Sequence, residues 1–314
     1  MQNNPSPRSP NLSPFSSLPS PLSSQIIICV LLLFLGCTGN QRNTDSSDTT
    51  SSIHTVNICD SVVTVGTGWD NVTALSTQKG IVVIDAGISY SLTAEYRKVI
   101  EQRFNRNDFA YLINTHPHHD HTRGNPVFSD AVIVGHTSFL TEFSAIWNDP
   151  AGVKSRASES IARYQALLDS LDKDSPEWKE ALSNKICYEH LYRDASEDPK
   201  LAVPELTFDD TLTIRAGDMT FYLLYFGKAH STGDVIVHVP EKKILFIGDL
   251  FSTYGKINFR DVERTDAERW LPALDWIEAR MNAIDIIVGG HGAILSIYDL
   301  QSFNERVRKK YFAF

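Results

Sequence analysis

Residues 115–121 read Thr115-His116-Pro117-His118-His119-Asp120-His121 and follow directly on the apolar run Phe109 to Asn114. Nothing else in the sequence constrains the fold as much. His116, His118, Asp120 and His121 all offer metal-binding atoms, and they fall within six residues at the end of a predicted strand. Alternation in an extended segment sends His116 and His118 the same way, so both imidazoles can reach one ion. A turn after them can aim Asp120 and His121 at a second ion a few ångströms away.

Three more segments repeat the theme. Phe226-Gly227-Lys228-Ala229-His230-Ser231-Thr232-Gly233-Asp234 places a histidine in a Gly-flanked loop after an apolar run. Phe246-Ile247-Gly248-Asp249-Leu250 ends another run on an acid, and Val288-Gly289-Gly290-His291-Gly292 ends a third on a histidine. Glycine near each of these three residues allows tight turns close to a metal. All four segments therefore predict strand-to-loop exits on one rim.

The runs between them give the fold class. Val62 to Val65 and Val72 to Leu75 flank a Gly-bearing loop and predict a hairpin. Ile81 to Ile84 is a continuous apolar run, as in a strand covered on both faces, and it stops at Asp85-Ala86-Gly87. A helix is expected from about Ser91 to Phe104. Residues 137–204 have a different texture: Ile161, Tyr164, Leu167, Leu168 and Leu171 recur at helical spacing, and Ser175-Pro176-Glu177 opens a second helix. This stretch reads as an insertion of two or three helices. Strands resume at Thr211 to Arg215, Met219 to Phe226, Val235 to Val239, Ile244 to Ile247 and Asp285 to Val288, with helices near Asp266 to Arg280 and from about Tyr298. Strands and helices alternating in two successive sets predict an α/β fold, a four-layer αββα sandwich with a helical insertion.

The N-terminus reads as an address. Residues 1–25 hold six prolines and eight serines, a composition that buries no core. Ile26 to Leu35 is ten apolar residues long, short for a bilayer span but suited to a signal peptide. Leu35-Gly36-Cys37 resembles a bacterial lipoprotein cleavage box, with Cys37 as the lipidated residue, and a polar tether follows. The expected organisation is a leader over 1–36, a tether over 37–54 and a domain over 55–314, with the insertion at 137–204. An exported enzyme, lipid-anchored in a bacterial envelope at the periplasmic or cell-surface side, is the corresponding localisation. Composition of the whole chain is ordinary, 42% hydrophobic and 21% charged, and a net charge of −9 argues against the basic stripe that a nucleic-acid partner needs. Cys59 and Cys187 read as two separate buried thiols.

The combined motifs resemble the metallo-β-lactamase superfamily over roughly residues 55 to 300, at five places in the right order. The resemblance implies that His116, His118 and His230 hold one zinc ion, that Asp120, His121 and His291 hold a second, and that Asp249 bridges them. Asp85 would stand behind the ligands and orient them. His119 occupies a variable position and is given no role. Two zinc ions lower the pKa of a bridging water toward neutrality, so the implied reaction is hydrolysis by a metal-bridging hydroxide of an ester, thioester, lactone or amide-type small molecule, β-lactams included. Asp120 would orient that water or take its proton.

An aspartate at position 249 resembles the glyoxalase II and lactonase branches. The 23 residues after His291 leave no room for the helical domain with which a glyoxalase II grips glutathione. Substrate contacts are expected from Trp69, and from Tyr254, Lys256 and Asn258. Two rivals stand beside the hydrolase: a persulfide dioxygenase-like oxidoreductase with one iron (Fe2+), and a non-catalytic, lipid-anchored metal-binding protein. The complete ligand set weighs against the second.

Overall fold

Alternation along single strands decides the layering. In the computed structural model, which describes residues 52–147, 149–196, 201–250 and 266–312, the strand Gly80–Ile84 is wholly buried. Its side chains nevertheless divide between two cores. Ile81 and Val83 join one apolar cluster and Val82 and Ile84 another, as a strand with period two requires when both its faces are covered. The strand Ile244–Gly248 does the same: Ile244 and Phe246 share the central cluster, whereas Leu245 and Ile247 face a third. Three apolar layers between four layers of backbone follow.

The first sheet contains β1 (Ile53–Cys59), β2 (Val62–Thr67), β3 (Val72–Thr77), β4 (Gly80–Ile84), β5 (Phe109–Ile113), β6 (Val132–His136) and β7 (Leu206–Phe208), side by side in that order. β1 to β4 run antiparallel, and β4 to β7 run parallel. The second sheet contains β8 (Thr211–Ala216), β9 (Met219–Tyr225), β10 (Val235–Val239), β11 (Ile244–Gly248), β12 (Ile286–Gly289) and β13 (Leu295–Ser296), again in sequence order. Only β11 and β12 pair in parallel there. The central core lies between the sheets, where Val62, Leu75 and Ile113 meet Phe221, Leu223, Val237 and Phe246.

Helices cover both outer faces. α1 (Tyr90–Phe104) lies on the first sheet, α2 (His119–Thr122) is a single turn, and α3 (Phe139–Trp147), α4 (Pro150–Ser170) and α5 (Pro176–Asp194) lie between β6 and β7. α6 (Ala267–Glu278) and α7 (Ile297–Tyr311) cover the second sheet through Trp270, Leu274, Leu300 and Phe303. The expected αββα sandwich is the fold observed. Ser175 caps α5, its side chain accepting from the Trp178 amide, and Pro176 occupies the first turn, as the sequence signalled.

The helical stretch is less of an addition than its sequence suggests. β6 and β7 are parallel, so some crossover must join them. α3 to α5 supply it, and Val153 and Ala157 of α4 and Cys187 and Leu191 of α5 share the core under α1. Cys59 and Cys187 are both free thiols; Cys187 is buried and donates to the Thr67 carbonyl, while Cys59 is half-buried rather than buried. Residues 1–51, with the leader, most of the tether and Cys37, lie outside the described residues.

Candidate metal centre

Strand direction brings the ligands together. β4 and β5 are parallel, so Asp85 and the segment from Thr115 leave the first sheet at the same end. β9 and β11 each run antiparallel to β10 and hence parallel to one another, and β12 runs parallel to β11. His230, Asp249 and His291 thus leave the second sheet at one end too. Seven side chains from both sheets meet there in two groups: His116, His118 and His230 in one, Asp120, His121, Asp249 and His291 in the other, with ligand atoms of each group within 4.8 Å of one another.

In the first group, His118 Nδ1 and His230 Nε2 stand 3.0 Å apart. The His116 ring packs edge-on to both. Its Nδ1 contacts Thr115 Oγ1 at 3.1 Å, and its Nε2 is buried with no hydrogen-bond partner among the described residues. A buried imidazole nitrogen without a partner is costly unless something else fills its lone pair. In the second group, His291 Nε2 lies 3.2 Å from His121 Nε2, 3.2 Å from Asp120 Oδ2 and 3.3 Å from Asp249 Oδ2. Asp249 stands between the groups, since the same Oδ2 lies 3.5 Å from His230 Nε2. Two ligands on one tetrahedral zinc, each about 2 Å from it, stand about 3.3 Å apart. The donor set and its spacing therefore fit a pair of divalent ions.

Two glycines make the approach possible. A Cβ on Gly290 would come within 2.4 Å of both Asp249 Oδ1 and His121 Cε1. Gly248 has φ of +52°, and a Cβ there would press on Thr115. The turn expected after His118 is α2, one helical turn that throws Asp120 and His121 toward the second group while His119 stays half-exposed beside Asp120.

Support comes from behind. Asp85 sits at φ +58°, and its carboxylate accepts from the Thr115 amide at 2.8 Å and from Thr115 Oγ1 at 2.8 Å. It also meets His121 Nδ1 at 3.0 Å, which leaves His121 Nε2 for the group. From the β2–β3 hairpin, Trp69 presents its ring edge-on to His291 at 4.5 Å between centroids. Four residues unremarked in the sequence also hold the site. Asn71 Nδ2 donates to the Gly292 carbonyl at 2.8 Å, fixing the His291 turn. Asn184 of α5 accepts from the Trp69 amide at 3.0 Å. Asp70, buried and bridged to His291 through the backbone, accepts from Tyr96. Glu142 of α3 meets His118 Nε2 at 3.1 Å. Tyr254, Lys256 and Asn258 lie outside the described residues.

The charges are strongly coupled. Burial opposes charge on His291, but Asp249 and Asp120 lift it to about 10. Burial likewise opposes charge on His121, which Asp249, Asp120 and Asp85 hold well above the usual histidine range. Burial and the neighbouring imidazoles push His116 well below it. Burial would raise Asp249, yet His291 and His121 keep its carboxylate well below the usual range. The site is built for ionised carboxylates with cations between them.

Comparison with known proteins agrees with this geometry. A family profile described as the metallo-beta-lactamase superfamily matches residues 70–291. The chain is 29% identical over 99 residues to a metallo-beta-lactamase type 2 of Bacteroides fragilis, covering 32% of this chain and 40% of that one. It is 22% identical to the Bacillus cereus protein of the same description, covering 70% of this chain and 66% of that one. It thus spans 40 to 66% of the length of these two curated relatives. A solved metallo-beta-lactamase from Pontibacter korlensis superposes with a TM-score of 0.52 at 18% identity, over 81% of this chain and 99% of that one, a likeness of fold. The profile match runs from the hairpin beside Trp69 to the last ligand, His291, and on that span the chain belongs to the metallo-beta-lactamase superfamily.

Proposed function

We propose that this chain is a two-zinc hydrolase of small molecules with an ester, thioester, lactone or amide bond. The observation that carries the reading is the placement of Asp249 between a complete three-histidine group and a complete second group. Mixed imidazole and carboxylate donors suit zinc. Bound there, a pair of zinc ions would supply an acidified water as nucleophile and a Lewis acid for the substrate carbonyl.

The chain's own residues do the rest. His116, His118 and His230 supply neutral nitrogens, while Asp120, His121 and His291 fill the neighbouring position. Asp120 is the more exposed of the two carboxylates, with 18% of its side chain open to solvent against 9% for Asp249. It is therefore placed to orient the attacking water and to accept its proton. Trp69 offers an apolar wall beside His291 for the acyl part of the substrate. The relatives' description as metallo-beta-lactamases makes the β-lactam amide the first bond to try, with lactones and thioesters after it. Export with lipid attachment at Cys37 is the matching reading of the leader, and mass analysis of the membrane-associated protein tests it.

The test of function is metal content per chain by elemental analysis of protein purified without added metal, followed by hydrolysis assays on that panel. Two zinc ions with turnover of any member support the reading. One iron, with oxygen consumed in the presence of a persulfide, would replace it with the dioxygenase. A folded chain that takes up no metal would remove both.

A further inference from the structure

We propose that Glu142 is a positioning residue for the three-histidine group, holding the ring of His118 and the loop of His230 in one carboxylate. The inference rests on the metal-holding role assigned to that group. Glu142 belongs to α3, the first helix after β6, in the crossover segment rather than in the strand exits that carry the ligands. Its Oε1 lies 3.1 Å from His118 Nε2. Its Oε2 accepts from the Thr232 amide at 2.8 Å and from Thr232 Oγ1 at 2.7 Å. Thr232 lies two residues after His230 in the loop leaving β9. One carboxylate thus holds His118 directly and the loop that carries His230, the two histidines whose ligand nitrogens stand 3.0 Å apart.

A glutamate on an exposed helix more often faces solvent or a nearby lysine. Here all three polar contacts come from the two ligand loops, and no lysine or arginine pairs with Glu142 among the described residues. A carboxylate can only accept, so His118 must carry its proton on Nε2 and offer the bare Nδ1 toward His230. The loop end of the clamp is fixed as well: the Thr232 carbonyl accepts from Ser138 Oγ at 2.6 Å and from the Tyr225 hydroxyl at 3.2 Å. His121 has the same arrangement with Asp85 on its far nitrogen. Each group therefore has one imidazole backed by a carboxylate, and Glu142 is the one the motifs do not reveal.

The test separates ring positioning from loop anchoring. Zinc affinity is measured by chelator competition for the wild type, Glu142→Gln and Ser138→Ala. Glutamine keeps the size but cannot accept from both His118 and Thr232 without turning an amide N–H toward one of them. The expected result is zinc affinity weaker by roughly 10- to 100-fold in Glu142→Gln, the usual effect of losing a partner behind a ligand. Ser138→Ala loosens the same loop without touching His118 and should leave the affinity near the wild-type value. Equal affinity in Glu142→Gln and the wild type overturns the proposal, as does an equal loss in Ser138→Ala. Imidazole 15N shifts of the zinc-loaded wild type give a measurement that needs no variant to fold: a proton on His118 Nε2 supports the clamp, and one on Nδ1 overturns it. A wild type that binds no zinc removes the metal centre and the proposal together, whereas zinc in the wild type with an indifferent Glu142 removes the proposal alone.

Discussion

The three-histidine group and the group of Asp120, His121, Asp249 and His291 sit against one another, yet without an ion they balance their charge in opposite ways. The first holds three imidazoles, with His118 Nδ1 facing His230 Nε2 at 3.0 Å and no carboxylate among them, and burial with the neighbouring imidazoles drives His116 well below the usual range. It has no internal means of neutralising itself. In the second, burial is overcome: carboxylates on either side hold His121 well above its usual range and His291 at about 10. Protons can there stand where an ion would. The two also differ in what holds them. Asp85 backs the second group from a core strand exit, while the first leans on Glu142 from the crossover helix.

The harshest way to break this contrast is at the residue both groups share. Asp249→Asn keeps the shape but removes the charge between His230 and His291, so zinc content should fall at both positions. Activity should fall by more than the roughly 10- to 100-fold that follows loss of a mere supporting partner. Loss of one zinc with the other kept at full affinity would show that the groups are independent. Asp85→Ala comes next. It strands the Thr115 amide, its hydroxyl and His121 Nδ1 in a buried place and puts alanine at a left-handed φ. Urea unfolding should show a loss of about 3 kcal/mol, with the second zinc weakened more than the first. Glu142→Gln should produce the reverse order, weaker zinc at the first group with little loss of fold stability.

A gentler comparison uses pH. His121 and His291 have folded pKa values above their ordinary value of about 6.5. Their contribution to the metal-free protein is therefore full below that pH and lost as pH rises through the raised folded values, about 10 for His291. The carboxylate of Asp249 is shifted down, so its contribution is present above about 4 and lost only in stronger acid. The melting temperature of the metal-free protein should fall between pH 7 and 10. The zinc-loaded protein should not follow it, because ions then replace the protons. Parallel curves for the two forms would show that the second group's protons do not stand in for metal.

The ligands were legible in the sequence because each follows an apolar run, four of them packed into residues 116–121 and the other three in glycine-bearing loops. Paired strands β2 and β3, the two-faced β4 and the capped α5 were legible from local pattern as well. β7 was not: it has three residues, and its pairing with β6 depends on a crossover of three helices. Tyr254, Lys256 and Asn258 stand out by nearness in sequence to Asp249, whereas Glu142 and Asn184 are near the site only in space. Glu142 is separated from His118 by 24 positions and from Thr232 by 90. Asn184 is 115 positions from Trp69. A lone polar residue on an amphipathic helix carries no period and no neighbouring glycine, so nothing local distinguishes it from a solvated face.

Asn184 gives the smallest effect and a fine test of how far the crossover helices reach into chemistry. Its side-chain carbonyl accepts from the Trp69 amide, the Trp69 carbonyl accepts from the Gly292 amide at 3.2 Å, and the Trp69 ring lies against His291. Asn184→Ala removes one part-buried hydrogen bond, which is worth about 1 kcal/mol to stability. It touches no ligand, so zinc content should stay at the wild-type value. The effect belongs in KM: a loosened Trp69 should weaken ground-state binding of substrates with a bulky acyl group and leave small acyl groups unchanged, with kcat nearly constant in both. Reduced zinc at the second group would mean that α5 governs His291 itself through the hairpin. In that case both groups, and not only the first, depend on the crossover for their geometry.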